Sequence, residues 1–593
     1  MEPYVGFSQV GGPKVSLKVV EDELTGLPID GVLGFLSRLS RELVLGEGLS
    51  DPRWQGVYLA YAIVDDFPVP LQKAAEMYAP GRVPYTGGRH ILVHEQNLAW
   101  LSHMAIVHCR RGTETASLEL DLQRRVCRLL LIANDLLNDA TVADSDSWGS
   151  RSLVDRKAFV ETAMRYWQFN HYFVNPQLIP LELVRTRILM TRYLPGYFPR
   201  ANEDFLQATG GVSIEDYFRA LGLIVWNLLV TDHGPLWMSV KNLTSSLEAS
   251  QTALQTLVEP WMASPEKYVK AVGEWLDRRP AFPSSRAFDF TPLRRTPLVV
   301  AREGEAVCPV LPLLLARVND GPYFMLAEYL SGTQLTRFQE AVGQAYQDYA
   351  HNAIRVIAER DADGPWEVLE RPGPKGKELA DSCIVRGDDA IVFEHKAGRP
   401  GTEYLRGGSG ERLLGPGDSV LAELEAGKAV SLSQGKKSDK GLVTRGMWQQ
   451  SMNIGAVLSW LEKHTGRKPK RVFAVITHLS PLQVNAVSRA IYLDPLIQKA
   501  SLYSDDRFVG PQWLYIRELE WLAGLAERGE LSLSALLAAK DLSDRDSAFD
   551  VFMAGKFGRL SVTKQLREDG LRLLDSAGQA FWPTKWGHAS SRK

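Results

Sequence analysis

The chain has 593 residues, of which 45% are hydrophobic, 23% charged, 49 Gly and 32 Pro, a usage that excludes a disordered, collagenous or low-complexity protein. Lys plus Arg total 68 against 70 Asp plus Glu, so the net charge of -2 excludes binding driven by global charge and leaves any nucleic-acid partner to a local patch. The four cysteines, Cys109, Cys127, Cys308 and Cys383, form no CxxC pair, which excludes a disulfide framework and a Cys-based zinc site.

The opening MEPYVGFSQVGG carries neither the basic nor the apolar region of a signal peptide. No stretch reaches the roughly 18 uninterrupted apolar residues of a membrane span. A cytoplasmic chain with no membrane partner is expected.

From Val32 to Arg279 apolar residues recur at three and four rather than at two, the period of helices. In SLELDLQRRVCRLLLIANDLL, Leu118, Leu122, Val126, Leu129, Leu130 and Ile132 gather near one side. Further helices are predicted over 155–173, 214–230 and 265–278, the last two opened by Ser213 and Ser264 as N-caps. The Pro- and Ser-rich RRPAFPSSRAF, 278–288, marks a boundary. Beyond it TPLVVA, AVCPV and PYFMLAEYL read as short apolar runs divided by turns such as Asn319-Asp320-Gly321. A helix over 335–360 comes next. Two strand-like runs, LADSCIV and DAIVFEHKA, are joined by Arg386-Gly387-Asp388-Asp389, a natural hairpin connection. A long polar stretch over 398–446 leads to a helix over 447–464, the strand RVFAVITHL, a strand-to-helix unit near 513–525 and a helical tail.

Period two in Ala390-Ile391-Val392-Phe393-Glu394-His395-Lys396-Ala397 puts Val392, Glu394 and Lys396 on one face and Ile391, Phe393 and His395 on the other. A carboxylate and an ammonium thus end a strand apolar enough to be interior, a costly placement unless they are used. Asp381 precedes Glu394 by 13 residues, so a hairpin brings it to the same end. Two carboxylates and a lysine suit a hard divalent cation and an attacking water. The competing interpretation is a solvated Glu394–Lys396 pair on an edge strand.

The order helix, Asp-bearing strand, turn, Glu-x-Lys strand, helix, strand, with Asp381 and Glu394-His395-Lys396, resembles the PD-(D/E)xK nuclease superfamily over roughly 290–525. The resemblance implies a restriction-endonuclease-like core, a mixed central sheet flanked by helices, in an α+β or α/β chain of three parts. These are a mostly helical region 1–285 for sensing, specificity or assembly, a nuclease-like domain 286–530 and a helical tail 531–593. It further implies that Asp381, Glu394 and the main-chain carbonyl of His395 bind Mg²⁺, with Mn²⁺ as a substitute, and that Lys396 assists the nucleophilic water. The family's Gly-x-x-Phe-Glu helix is matched by Gly343-Gln344-Ala345-Tyr346-Gln347, with Gln347 in place of the acid. Glu340, seven residues earlier on the same helix face, can substitute. The family's catalytic Gln on the helix after the Glu-x-Lys strand is matched by Gln449 or Gln450.

Between Val430 and Val475 nine cations (Lys436, Lys437, Lys440, Arg445, Lys463, Arg467, Lys468, Lys470, Arg471) minus two anions (Asp439, Glu462) leave +7. Lys436, Lys437, Lys440 and Arg445 are the candidate nucleic-acid contacts. His90, His94 and Glu95, with His103 and His108, lack metalloprotease spacing and read as structural. Gly407–Asp418 lacks the Gly-Lys-Ser/Thr of a phosphate loop, and the aromatics Tyr166 to Phe173 read as helix packing. The expected function is a Mg²⁺-dependent nuclease acting on DNA in phage defence, restriction or repair, with a protein partner or a homo-oligomer to restrain it. The alternative is an inactive nucleic-acid-binding or scaffold subunit.

Overall fold

The computed structural model describes residues 13–44, 93–111, 120–139, 150–166, 179–230, 234–239, 256–277, 290–374, 378–398, 414–415, 417–427, 442–480, 484, 488–543, 549–557 and 562–581. It is a mixed α/β protein with two mixed sheets. Among the described residues no helix is long and apolar enough to cross a membrane, and all four cysteines are buried free thiols.

The N-terminal half forms the helices α1 (Leu17–Thr25), α2 (Ile29–Val44), α3 (Glu95–His108), α4 (Leu120–Asp139), α5 (Leu153–Tyr166), α6 (Ile179–Ile188), α7 (Ala201–Ala208) and α8 (Ile214–Val230); α1 precedes the range of the three-and-four period, and α4, α5 and α8 lie where individual helices are predicted. The Ser213 hydroxyl accepts the Asp216 N–H at 3.0 Å, which starts α8. Strands β1 (Trp237–Ser239) and β2 (Met262–Ala263), helix α9 (Pro265–Asp277), and strands β3 (Leu298–Arg302) and β4 (Glu305–Val307) complete a small sheet of order β1-β4-β3-β2. Its alternating residues divide between two cores. Ala263, Val299 and Val307 join the core of α1–α4, whereas Leu298 and Ala306 join the larger one.

Asn319-Asp320-Gly321 is not a turn: it lies inside α10 (Leu311–Tyr329), which runs straight through Pro322. Proline has no N–H for the carbonyl four residues back, Val318. The Tyr217 hydroxyl of α8 donates to that carbonyl at 3.0 Å and replaces the missing bond. Gly321 makes room for it, since a Cβ there would lie 2.1 Å from the Tyr217 oxygen. Gly321→Ala is therefore expected to destabilise by about 1–3 kcal/mol, against the helix propensity of alanine, because a buried tyrosine must move. In chemical denaturation, addition of Tyr217→Phe should cost less in the Gly321→Ala background than in the wild type.

Helix α11 (Gly332–Arg360) precedes a five-stranded sheet of β5 (Glu367–Glu370), β6 (Ser382–Arg386), β7 (Asp389–Lys396), β8 (Arg471–His478) and β9 (Phe508–Tyr515). Between β7 and β8 the chain forms α12 (Asp418–Glu425), inside the stretch read as polar connection, and α13 (Leu442–Thr465). After β9 come α14 (Ile516–Glu527), α15 (Leu533–Ser543), α16 (Phe549–Phe557) and α17 (Lys564–Phe581). Spatial order follows chain order, antiparallel across β5-β6-β7 and parallel across β7-β8-β9. Ile391 and Phe393 pack under α11 and α14, while Ala390 and Val392 pack under α13 with Ile454 and Val457.

The largest core crosses both expected domain boundaries, running from Val44 of α2 to Leu574 of α17. A buried ion pair reinforces it. Arg185 of α6 forks onto Glu520 of α14 at 2.6 and 2.7 Å, and the Tyr349 hydroxyl of α11 donates to the same carboxylate at 2.6 Å.

Candidate active site

The β6–β7 hairpin turns at Gly387-Asp388, with Gly387 at φ 54°, a conformation glycine adopts without a Cβ penalty. Ser382 pairs with Phe393, so the preceding Asp381 stands opposite Glu394 at the end of the sheet. Both acids are sheltered, Asp381 8% and Glu394 1% exposed. Since β7 is the middle strand of five, the solvated edge-strand pair is excluded.

Asp381 accepts from Gln347 Nε2 at 2.9 Å through Oδ1 and from the His395 N–H through Oδ2. In an extended strand the N–H and C=O of one residue point the same way, so the His395 carbonyl is directed to the Asp381 side. Lys396 Nζ donates to Glu394 Oε1 and, at 3.0 Å, to Gln449 Oε1. Gly446, one turn before Gln449, lets α13 approach: a Cβ there would lie 2.8 Å from Ile476 and 3.4 Å from the Lys396 stem. Gln450 has a different task. It is buried, donates to the Val392 and Val475 carbonyls at 2.7 and 3.3 Å, and accepts from the Tyr503 hydroxyl at 2.9 Å, which locks α13 across β7 and β8.

The electrostatics are those of carboxyls crowded in a sheltered place. Burial pushes Glu394 up to about 7; the Lys396 ammonium opposes this, and the Asp381 and Glu378 carboxylates add to it. Glu378, in the loop before β6, is also raised, first by partial burial and then by Asp381 beside it. Sequence reasoning missed Glu378, because a loop acid has no periodicity to mark it. It also missed Arg371, whose N–H donates to the Asp381 carbonyl at 3.2 Å while its guanidinium reaches Gln344 at 3.2 Å and Asp348 at 3.4 Å on α11. Arg371, Ser501 and Tyr503 are the non-glycine residues at positive φ among those described, at 45°, 49° and 52°. Arg371 bonds the Asp381 backbone and Tyr503 bonds Gln450, so strain collects around the site.

The His395 ring lies on the other face in a buried polar chain. Tyr346 donates to Thr477 Oγ1 at 2.8 Å, Thr477 Oγ1 is 2.6 Å from His395 Nδ1, and Ser382 Oγ lies 3.3 Å from His395 Nε2 and 2.8 Å from His351 Nδ1. One hydrogen assignment runs consistently along the chain: Thr477 donates to Nδ1 of His395, whose Nε2–H donates to Ser382, which donates to Nδ1 of His351. That assignment needs neutral imidazoles, and burial pushes His395 down to about 4. The chain ties α11, β6, β7 and β8 together behind the acids.

The other predicted residues divide. Glu340 is exposed on α11, about 10 Å along the axis from Gln347, and it is Gln347 that meets Asp381. Arg445 is exposed one turn before Gln449, on the same face of α13. Lys436, Lys437, Lys440 and His90 fall outside the described residues, as do most of Gly407–Asp418 and the aromatics Trp167 to Phe173. Arg467, Lys468, Lys470 and Arg471 lie at the opposite end of the sheet, paired with Glu367, Glu462, Asp388 and Asp389, so this part of the +7 zone does not front the site. His94 is buried against Asn134 at 3.0 Å and His103 against Tyr268 at 2.9 Å.

Among the described residues no three His, Cys, Asp or Glu side chains form a metal-holding group. The donor set is therefore two carboxylates and a main-chain carbonyl, and Gln347 Oε1 is buried without a partner next to them. That set fits a hard divalent cation that keeps most of its own waters. Comparison with protein-family models, with curated proteins and with solved structures gives no match.

Proposed function

We propose that the chain is a Mg²⁺-dependent nuclease with a restriction-endonuclease-like core that hydrolyses phosphodiester bonds, those of DNA first. The observation that carries this is the meeting of Asp381, Glu394 and Lys396 at one end of the middle strand, with both acids sheltered from water. The succession α11, β6, turn, β7, α13, β8 supports it, since it follows the helix, strand, turn, strand, helix, strand order of the PD-(D/E)xK enzymes, with β5 added before β6 and α12 before α13. Asp381, Glu394 and the His395 carbonyl would hold the ion, which supplies charge neutralisation at the scissile phosphate. Gln449 holds the Lys396 ammonium, and Lys396 orients the attacking water. Arg445 and Arg371 stand as phosphate contacts on either side.

A second interpretation rests on Gln347, a neutral amide where the PD-(D/E)xK enzymes carry an acid: a scaffold that keeps the fold while partners do the chemistry. Under the first, a role in phage defence, restriction or repair in the cytoplasm requires a partner or trigger, because uncontrolled cleavage would damage the host genome. The test is conversion of supercoiled plasmid to nicked and linear forms with Mg²⁺ or Mn²⁺. Cleavage is expected from the wild type and not from Asp381→Asn or Glu394→Gln; equal cutting by all three overturns the assignment.

A further inference from the structure

A cavity of about 290 Å³ lies away from the acids, between α6, α8 and α17, and its lining includes Arg187, Arg192, Arg219 and Arg572 with Glu215 and Asp569. Four guanidiniums and two carboxylates stand in the lining, and with the neighbouring Asp216 and Glu568 the charges balance, so what the lining offers an anion is the guanidinium N–H donors left over from these pairs. The carboxylates hold the forks in place: Glu215 accepts from Arg187 at 2.9 and 3.2 Å, and the buried Asp569 lies 3.5 Å from Arg192 and 3.2 Å from Arg572. Arg219 and Arg572 also have acids outside the lining, Asp216 at 3.4 Å and Glu568 at 3.9 Å. Arg192, Arg219 and Arg572 are each at least half exposed, so an incoming anion finds them open to solvent.

The backbone is arranged to the same end. Arg187 and Arg192 are five residues apart, which on a straight α-helix separates them by about 140°. Here α6, which carries Arg187, passes into a π-helical segment, Leu189–Tyr193, which carries Arg192 and whose wider turn, with the Leu194 N–H bonded to the Leu189 carbonyl, reduces that separation. Both arginines line one cavity, on either side of the junction with a rare backbone form that recurs at functional sites.

We propose that this cavity binds a phosphate monoester of mononucleotide size or smaller. Planar guanidinium forks match phosphate oxygens two at a time, and the cavity volume is at the lower end for small-molecule sites, about 300 Å³. Leu573 supplies an apolar wall for the body of the ester. The site does not depend on the nuclease assignment.

The test is calorimetric titration of the full chain with 5′-AMP in EDTA, in an Asp381→Asn, Glu394→Gln background that removes the acidic site as a competitor. Saturable 5′-AMP binding is expected, with competition by inorganic phosphate and no binding of adenosine. Arg192→Ala with Arg219→Ala should weaken it by roughly tenfold or more, as loss of charge-assisted bonds does. These side chains are half exposed, and an unchanged melting temperature confirms that the double variant is folded. Absence of 5′-AMP binding at millimolar concentration, or binding undiminished in the double variant, overturns the proposal.

Discussion

Exchange of Lys396 for alanine is expected to lower Mg²⁺-dependent cleavage by at least about a hundredfold, the scale of a lost proton-handling group. The ammonium is a partner of both Glu394 and Gln449, so its removal acts twice. The attacking water loses its orienting group. Glu394 also loses the cation that opposes the effect of burial, and its carboxyl becomes harder to ionise. The two effects separate with pH. Raising the pH restores the Glu394 carboxylate, and with it metal binding, but leaves cleavage low. Full recovery of cleavage at high pH would assign Lys396 a purely electrostatic role. Protonation of Glu394 takes up the loss of its partner, so the variant should remain folded below neutral pH.

Metal-free protein in which Glu394 is replaced by glutamine should gain stability relative to the wild type as pH rises from 5 to 8. Burial raises Glu394 from its ordinary 4.5 to about 7, so the folded state holds the proton more tightly than the unfolded chain. Stability from this group is fully present below about 4.5 and is lost as pH rises through about 7. His395, pushed down to about 4, and His478, also pushed down by burial, titrate alike in both proteins and cancel in the difference. Thermal unfolding in EDTA across that range reads the sign directly. A difference that shrinks toward pH 8 would contradict a buried carboxyl with a raised pKa. By the same linkage, Mn²⁺ must displace a proton, and its affinity should fall about tenfold per pH unit below 7.

The acids and the lysine were legible because strand alternation is local: eight residues, Ala390 to Ala397, fix which side chains share a face, and Gly387 fixes the turn that brings Asp381 back. The helices of the first half were legible for the same reason, through their period and their serine caps. What depends on distant partners was not. Asn319-Asp320-Gly321-Pro322 has the composition of a turn, yet it is helical, within a buried helix where Tyr217, about a hundred residues away in the chain, supplies a donor to Val318. Gln449 and Gln450 are neighbours with equal sequence claims, separated by which one faces Lys396 and which one enters the sheet. Glu378 and Arg371 lie between β5 and β6, where Arg371 is held by α11 and by the Asp381 carbonyl. Composition breaks near 285 and 530 mark changes of texture, yet α17 returns to pack Leu573 and Leu574 into the core that Leu183 and Val184 of α6 share with the five-stranded sheet.

The central claim is that Asp381 and Glu394 form one divalent-cation site. Calorimetric titration of Mn²⁺ into the full chain at pH 8 tests it with no assumption about substrate. Saturable binding is predicted for the wild type, with loss in the Asp381→Asn, Glu394→Gln double variant and retention in Lys396→Ala. No binding by the wild type, or binding unchanged in the double variant, would contradict it and leave the scaffold interpretation in its place.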